Sequence, residues 1–168
     1  MPEIAGFASI LTNALSPQLA SAVTQSAMPG LADGPRNDAL ATILSSGDLQ
    51  THLAGAGDRV DEIISGLWLL AGDLDRSHTI SQDLPSAEGS FLHGIMHRRE
   101  GDFGNAKYWF RRVGDHPVFD QIAQAAGSVY DDPSDFVDLC SDAIRRGEPD
   151  DCMAAQWIEW QCIMAYLC

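Results

Sequence analysis

Two histidines four residues apart, His93 and His97, stand with Glu100 three residues further on. They lie in the string SFLHGIMHRREGDFGNAKYWFRRVGDHPVF, Ser90 to Phe119. On a helix turning about 100° per residue these three side chains fall together. Imidazoles at i and i+4 point the same way, so with one further ligand they can hold a divalent metal. The expected metal set is therefore His93, His97 and Glu100, with His116 or His78 from a neighbouring helix as alternatives for the third position. A zinc-protease helix places Glu directly after the first His; here that position is Gly94, so that chemistry is not indicated. The competing reading is structural: a polar helix face, or imidazoles hydrogen-bonded to the next helix.

The same stretch holds Arg98, Arg99, Lys107, Arg111 and Arg112, five of the ten cations of a chain whose net charge is −14. Between His93 and His116 only Glu100, Asp102 and Asp115 oppose them. A basic island in an acidic protein is a seat for a small anion such as a carboxylate or phosphate. Pairing with the abundant aspartates explains the arginines equally well. Arg99 falls within the apolar face made by Phe91, Leu92, Ile95 and Met96, and a buried guanidinium needs a carboxylate or a bound anion. Asp102, Asp115 and Glu88 are its candidate partners. Tyr108 and Trp109 flank the apolar stripe of Ala106, Phe110 and Val113 and can either line a pocket or pack in the core. His78 and Gln82, at i and i+4 on the preceding hairpin, would face His93 and His97 if the hairpins stack. The candidate ligand-binding set is thus His78, Gln82, Glu88, His93, Arg98, Arg99, Lys107, Tyr108, Arg111 and Arg112. No G-x-S-x-G and no phosphate-binding glycine loop occurs, so any chemistry would come from His and Glu.

With 168 residues, the chain is long enough for one domain with a sizeable core, and its 45% apolar content marks it as globular. The acidic balance disfavours nucleic acid and anionic membranes as partners. Four cysteines, Cys140, Cys152, Cys162 and Cys168, form no C-x-x-C pair, and the opening MPEIAGFASILTNAL lacks a basic n-region. Reduced thiols in a cytoplasmic protein are expected. No apolar run reaches the length of a membrane span.

The elements that must position these residues all read as helices. Ile4, Phe7, Ile10, Leu11 and Leu15 share one face. Ser16-Pro17 caps a second helix to about Ala27, and Asn37 or Asp38 caps a short one through Leu44. Val60, Ile63, Ile64, Leu67, Leu70 and Ala71 recur at three- and four-residue steps. Further helices run over Leu74 to Leu84, from Ser86 to Gly101, from Phe103 to Val113, from His116 to Ala126, from Asp132 to Arg146, and from Asp150 to Leu167. No stretch alternates long enough to be a strand.

LLAGDLDRS (Leu69–Ser77) and RREGDFGNA (Arg98–Ala106) share one frame, 29 residues apart. Each predicts a helix ending at Gly, an Asp cap, and a small residue where the second helix crosses. This resembles the turn of tetratricopeptide-like α-hairpins, although two units are too few for a repeat array. The string LHGIMHRREGDFGNAKYWFRRVGDHPVF, with GDLDRSHTISQDL upstream, also resembles a family of uncharacterised bacterial and fungal proteins. The likeness covers about Leu67 to Phe119 and implies no particular activity. The expectation is a single all-α domain over residues 1–168. Central hairpins at 58–127 carry the motif, between N-terminal helices at 1–57 and C-terminal helices at 128–168. Its function would be to bind a small anionic molecule, with or without catalysis; the alternative is a helical scaffold that takes a protein partner.

Overall fold

Gly72-Asp73 and Gly101-Asp102 make the same turn twice. In the computed structural model, which describes residues 1–168, both glycines are left-handed, at φ of 80° and 89°. In each turn the Gly N–H donates three residues back, and the Asp N–H donates five residues back, to Trp68 O and His97 O. That pattern closes a helix with its last carbonyls satisfied. The Asp side chain then caps the next helix, accepting from Arg76 N or Asn105 N. The small residues of the shared frame, Ser77 and Ala106, are both fully buried. Four helices follow from these two turns: α5 (Val60–Ala71), α6 (Leu74–Ser81), α7 (Ala87–Glu100) and α8 (Phe103–Val113). Consecutive members pack on one another, so α6 lies against α5 on one side and α7 on the other.

The remaining helices enclose this centre. They are α1 (Phe7–Ala14), α2 (Pro17–Thr24), α3 (Asp38–Leu44), α4 (Leu49–His52), α9 (Val118–Ala126), α10 (Pro133–Arg146) and α11 (Asp150–Leu167), and the chain has no strand. The protein is all-α. Most starts carry the caps that the residues predict: Ser16, Asn37, Ser86 and Asp132 each accept a bond from a backbone N–H of the first turn. Three ends fall short of expectation. α1 begins only at Phe7, after left-handed Gly6; α2 stops at Thr24; and α6 stops at Ser81, where Asp83 and Leu84 continue in tighter three-residue turns.

One apolar cluster runs from Phe7 to Leu167, so the N- and C-terminal helices share a core with the central hairpins. Helix α11 is buried on nearly all sides, including Gln156, Glu159 and Gln161. Helix α7 is likewise enclosed, with every residue from Gly89 to Arg99 buried. The expectation of one apolar and one polar face on α7 gives way here. Its polar side is covered by α6 and its apolar side packs against α5 and α8. Gly94 lets α8 approach closely, since a Cβ there would lie 3.0 Å from the Phe110 ring. No helix is long and apolar enough to cross a membrane.

Candidate functional site

Where α6 meets α7, three imidazoles cluster. His78 comes from α6, His93 and His97 from α7. Ring centroids are 4.8 Å apart for His78–His93, 4.6 Å for His93–His97 and 5.6 Å for His78–His97. His93 and His97 are 2% and 6% exposed, while His78 is half-buried. The Trp109 indole of α8 closes the cluster, 4.3 Å from the His93 ring.

Hydrogen bonds fix which ring nitrogen carries the proton on two of the three. Ser81 Oγ lies 2.7 Å from His93 Nδ1 and donates its own hydrogen to Ser77 O at 2.8 Å. A hydroxyl has one hydrogen to give, so while Ser81 donates to Ser77 O it accepts from His93 Nδ1–H. His97 Nδ1 lies 2.7 Å from Glu100 Oε1, and a carboxylate only accepts. Both rings therefore carry their proton on Nδ1 and hold a bare lone pair on Nε2. No side chain or backbone group of the protein donates to either Nε2.

Burial, reinforced by the neighbouring His97 and His78 rings, lowers the His93 pKa from 6.5 to about 4. The groups facing it are His78 and Ser81 of α6, His97 of its own helix and Trp109 of α8. The unfolded chain takes up a proton below pH 6.5 that the folded ring refuses until about pH 4. His93 thus costs stability progressively as pH falls through that window, up to about 3 kcal/mol by its lower end. Urea unfolding in chelated buffer should show this loss in the native protein and a shallower decline in His93→Gln. Equal slopes would mean that the ring titrates normally.

The arginines take a different course from the expected convergence. Arg98 is fully buried among α8, α10 and α11, where it pairs with Glu159 and donates to Gln156 Oε1 at 3.2 Å. Burial alone would lower the Arg98 pKa, but the Glu159 carboxylate raises it overall. Tyr130 OH donates to the same carboxylate at 3.0 Å, and burial pushes the Tyr130 pKa well above its usual value. Arg98 thus belongs to a network inside the core and is not available to a ligand.

Arg99 faces the other way. It donates to three backbone carbonyls, those of Ala32, Gly34 and Leu69, and not to Asp102, Asp115 or Glu88. Burial, with Arg98 adjacent, lowers its pKa to about 10. It lines a cleft of about 410 Å³ together with Ala32, Asp33, Arg36, Leu74, Asp75 and Glu100. Glu100 is the group that also holds His97, so cleft and imidazole cluster share a wall.

The other candidates lie apart. Glu88, at the start of α7, pairs with Arg59 at 3.1 Å and sits 3.5 Å from His116. Nine residues separate it from His97, about 13 Å along the helix. Lys107 pairs with Asp138 at 2.6 Å. Gln82, Tyr108, Arg111 and Arg112 are exposed, and Arg112 lies over the Tyr108 and Trp109 rings. Glu100 does not join His93 and His97 around a common point, because it bonds the Nδ1 side of His97. His116 is held at Glu88. Of the alternatives for a third ligand, His78 is the one placed beside both.

Three residues of the site carry no signal in the motif itself. Ser81 looks like an ordinary helix-end serine. Ala32 and Gly34 contribute only carbonyls. Glu159 was visible as a lone carboxylate in the apolar run QWIEWQCIM, 61 residues from its partner.

No protein-family model, curated protein or solved structure matches the chain. The functional reading therefore rests on the geometry of α6, α7 and the 30–36 loop.

Proposed function

We propose that the protein binds a small anionic ligand at the α6–α7 face, with the imidazole cluster beside the ligand. The observation behind this is Arg99: a guanidinium 2% exposed, with no carboxylate paired to it, in the wall of an open cleft. Buried cations ordinarily carry a countercharge. Three of its five N–H donors are used on carbonyls, which leaves two for a ligand. Arg36, at the same cleft, adds a second positive charge, partly offset by Asp33 at 3.5 Å. Asp75 and Glu100, which also line the cleft, disfavour a polyanion, so a singly charged group such as a carboxylate suits it best.

The test is thermal unfolding of chelator-treated protein with acetate, phosphate or citrate at fixed ionic strength. A singly charged carboxylate should raise the midpoint by a few degrees once its concentration is well above its dissociation constant. Arg36→Ala, at an exposed position, should reduce that shift and leave the midpoint without ligand unchanged. No shift with any anion would overturn the reading and favour a helical interaction module.

A further inference from the structure

His93 and His97 present two neighbouring Nε2 lone pairs to which nothing in the protein donates, neither of them fully closed off from solvent. A Lewis acid can engage both lone pairs at once.

We propose that His78, His93 and His97 bind a divalent metal ion of the zinc class, with one coordination position left open for a small ligand. The proposal deepens the anion-binding reading and shares with it the α6–α7 face.

Three observations carry it. The three residues each offer a ligand atom, and these atoms lie within 4.8 Å of one another. Three neutral imidazoles with an open fourth position are a known solution for a reactive zinc ion. Ser81 and Glu100 hold the Nδ1 protons of His93 and His97, so Nε2 is the ligating atom on both. Such partners orient the rings and raise their basicity. Finally, His78 makes no side-chain hydrogen bond and is half-buried, so it is the ring free to adjust. Bonds of about 2.1 Å in a tetrahedron require nitrogens about 3.4 Å apart. Binding therefore draws the rings together, and His78 supplies most of that movement. The second group of possible ligands, His97, Glu100 and Asp102, is less suited. Its Glu100 is already engaged with His97, and Asp102 caps α8.

Titration calorimetry with zinc chloride, and visible absorption with cobalt(II), on chelator-stripped full-length protein test this. One equivalent of zinc should bind, and cobalt should give the strong bands of a four-coordinate site. His78→Ala, at a half-buried position that should leave the fold intact by circular dichroism, should abolish both signals. Glu100→Gln, at an exposed side chain, should weaken zinc binding by about 10–100-fold. Failure to bind zinc or cobalt would overturn the proposal, as would binding that survives His78→Ala or is lost in Cys168→Ser. An anion-induced thermal shift in the stripped protein reports on the ligand cleft separately. If that shift persists without metal binding, the metal site alone falls.

Discussion

Arg98→Ala should destabilise the protein by about 3–5 kcal/mol, because it strips the partner from a buried carboxylate. Glu159 would then sit at 0% exposure with only Tyr130 OH donating to it. The variant would also lose the contact of the guanidinium with the Phe136 ring, 4.7 Å away. Gln156 would lose its donor, and Gln156 ties α11 to the 30–36 loop through Gly30 O at 3.0 Å. Glu159→Ala should cost a similar amount for the mirrored reason. The double variant Arg98→Met/Glu159→Met removes both charges together and should recover much of the loss. Urea denaturation of the four proteins checks this order of stabilities. Single variants within about 1 kcal/mol of the parent would show that water reaches the pair.

Arg99→Lys should be nearly as damaging although it keeps the charge. The planar guanidinium reaches three carbonyls that diverge from it, and one of them, Leu69 O, ends α5 inside the core. A lysine ammonium on a single stem cannot reach all three. Hydrogen bonds to a charged donor are worth about 1.5–3 kcal/mol each, so losing two should cost about 3 kcal/mol. The loss should be local as well as global, since Arg99 and Gln156 both donate to carbonyls of the 30–36 loop. Amide exchange in that loop should accelerate while α5 stays protected; uniform acceleration would mean that the loop is held by something else. Because the loop forms one wall of the cleft, the same variant should also lose the anion-induced thermal shift.

These two arginines show where the sequence stops being informative. Local chemistry was legible: Gly-Asp turns, Ser and Asn caps and Pro at the first helical position act within four residues. They placed α5 to α8 closely. The meeting of His78 with His93 was legible too, because the short Gln82–Pro85 connection leaves α6 and α7 little choice but to pack. The fates of Arg98 and Arg99 were not. Neighbours on a helix point about 100° apart, so one entered the core and the other the loop, and the partners of both are far away in sequence. Carbonyl partners leave no trace in residue type at all. The clustering of Arg98, Arg99, Lys107, Arg111 and Arg112 in one string therefore overstated their convergence. The imidazoles converge because their helices are adjacent; the cations diverge because each of theirs finds a different acceptor.

The account stands on the imidazole cluster of α6 and α7 being a ligand site and not a packing solution. The most direct measurement is anomalous diffraction at the zinc edge from crystals of the full-length protein equilibrated with zinc. The expected map has one strong peak about 2.1 Å from Nε2 of His93, Nε2 of His97 and a ring nitrogen of His78. A map without a peak there, or with its zinc at the cysteines or surface carboxylates, would contradict it.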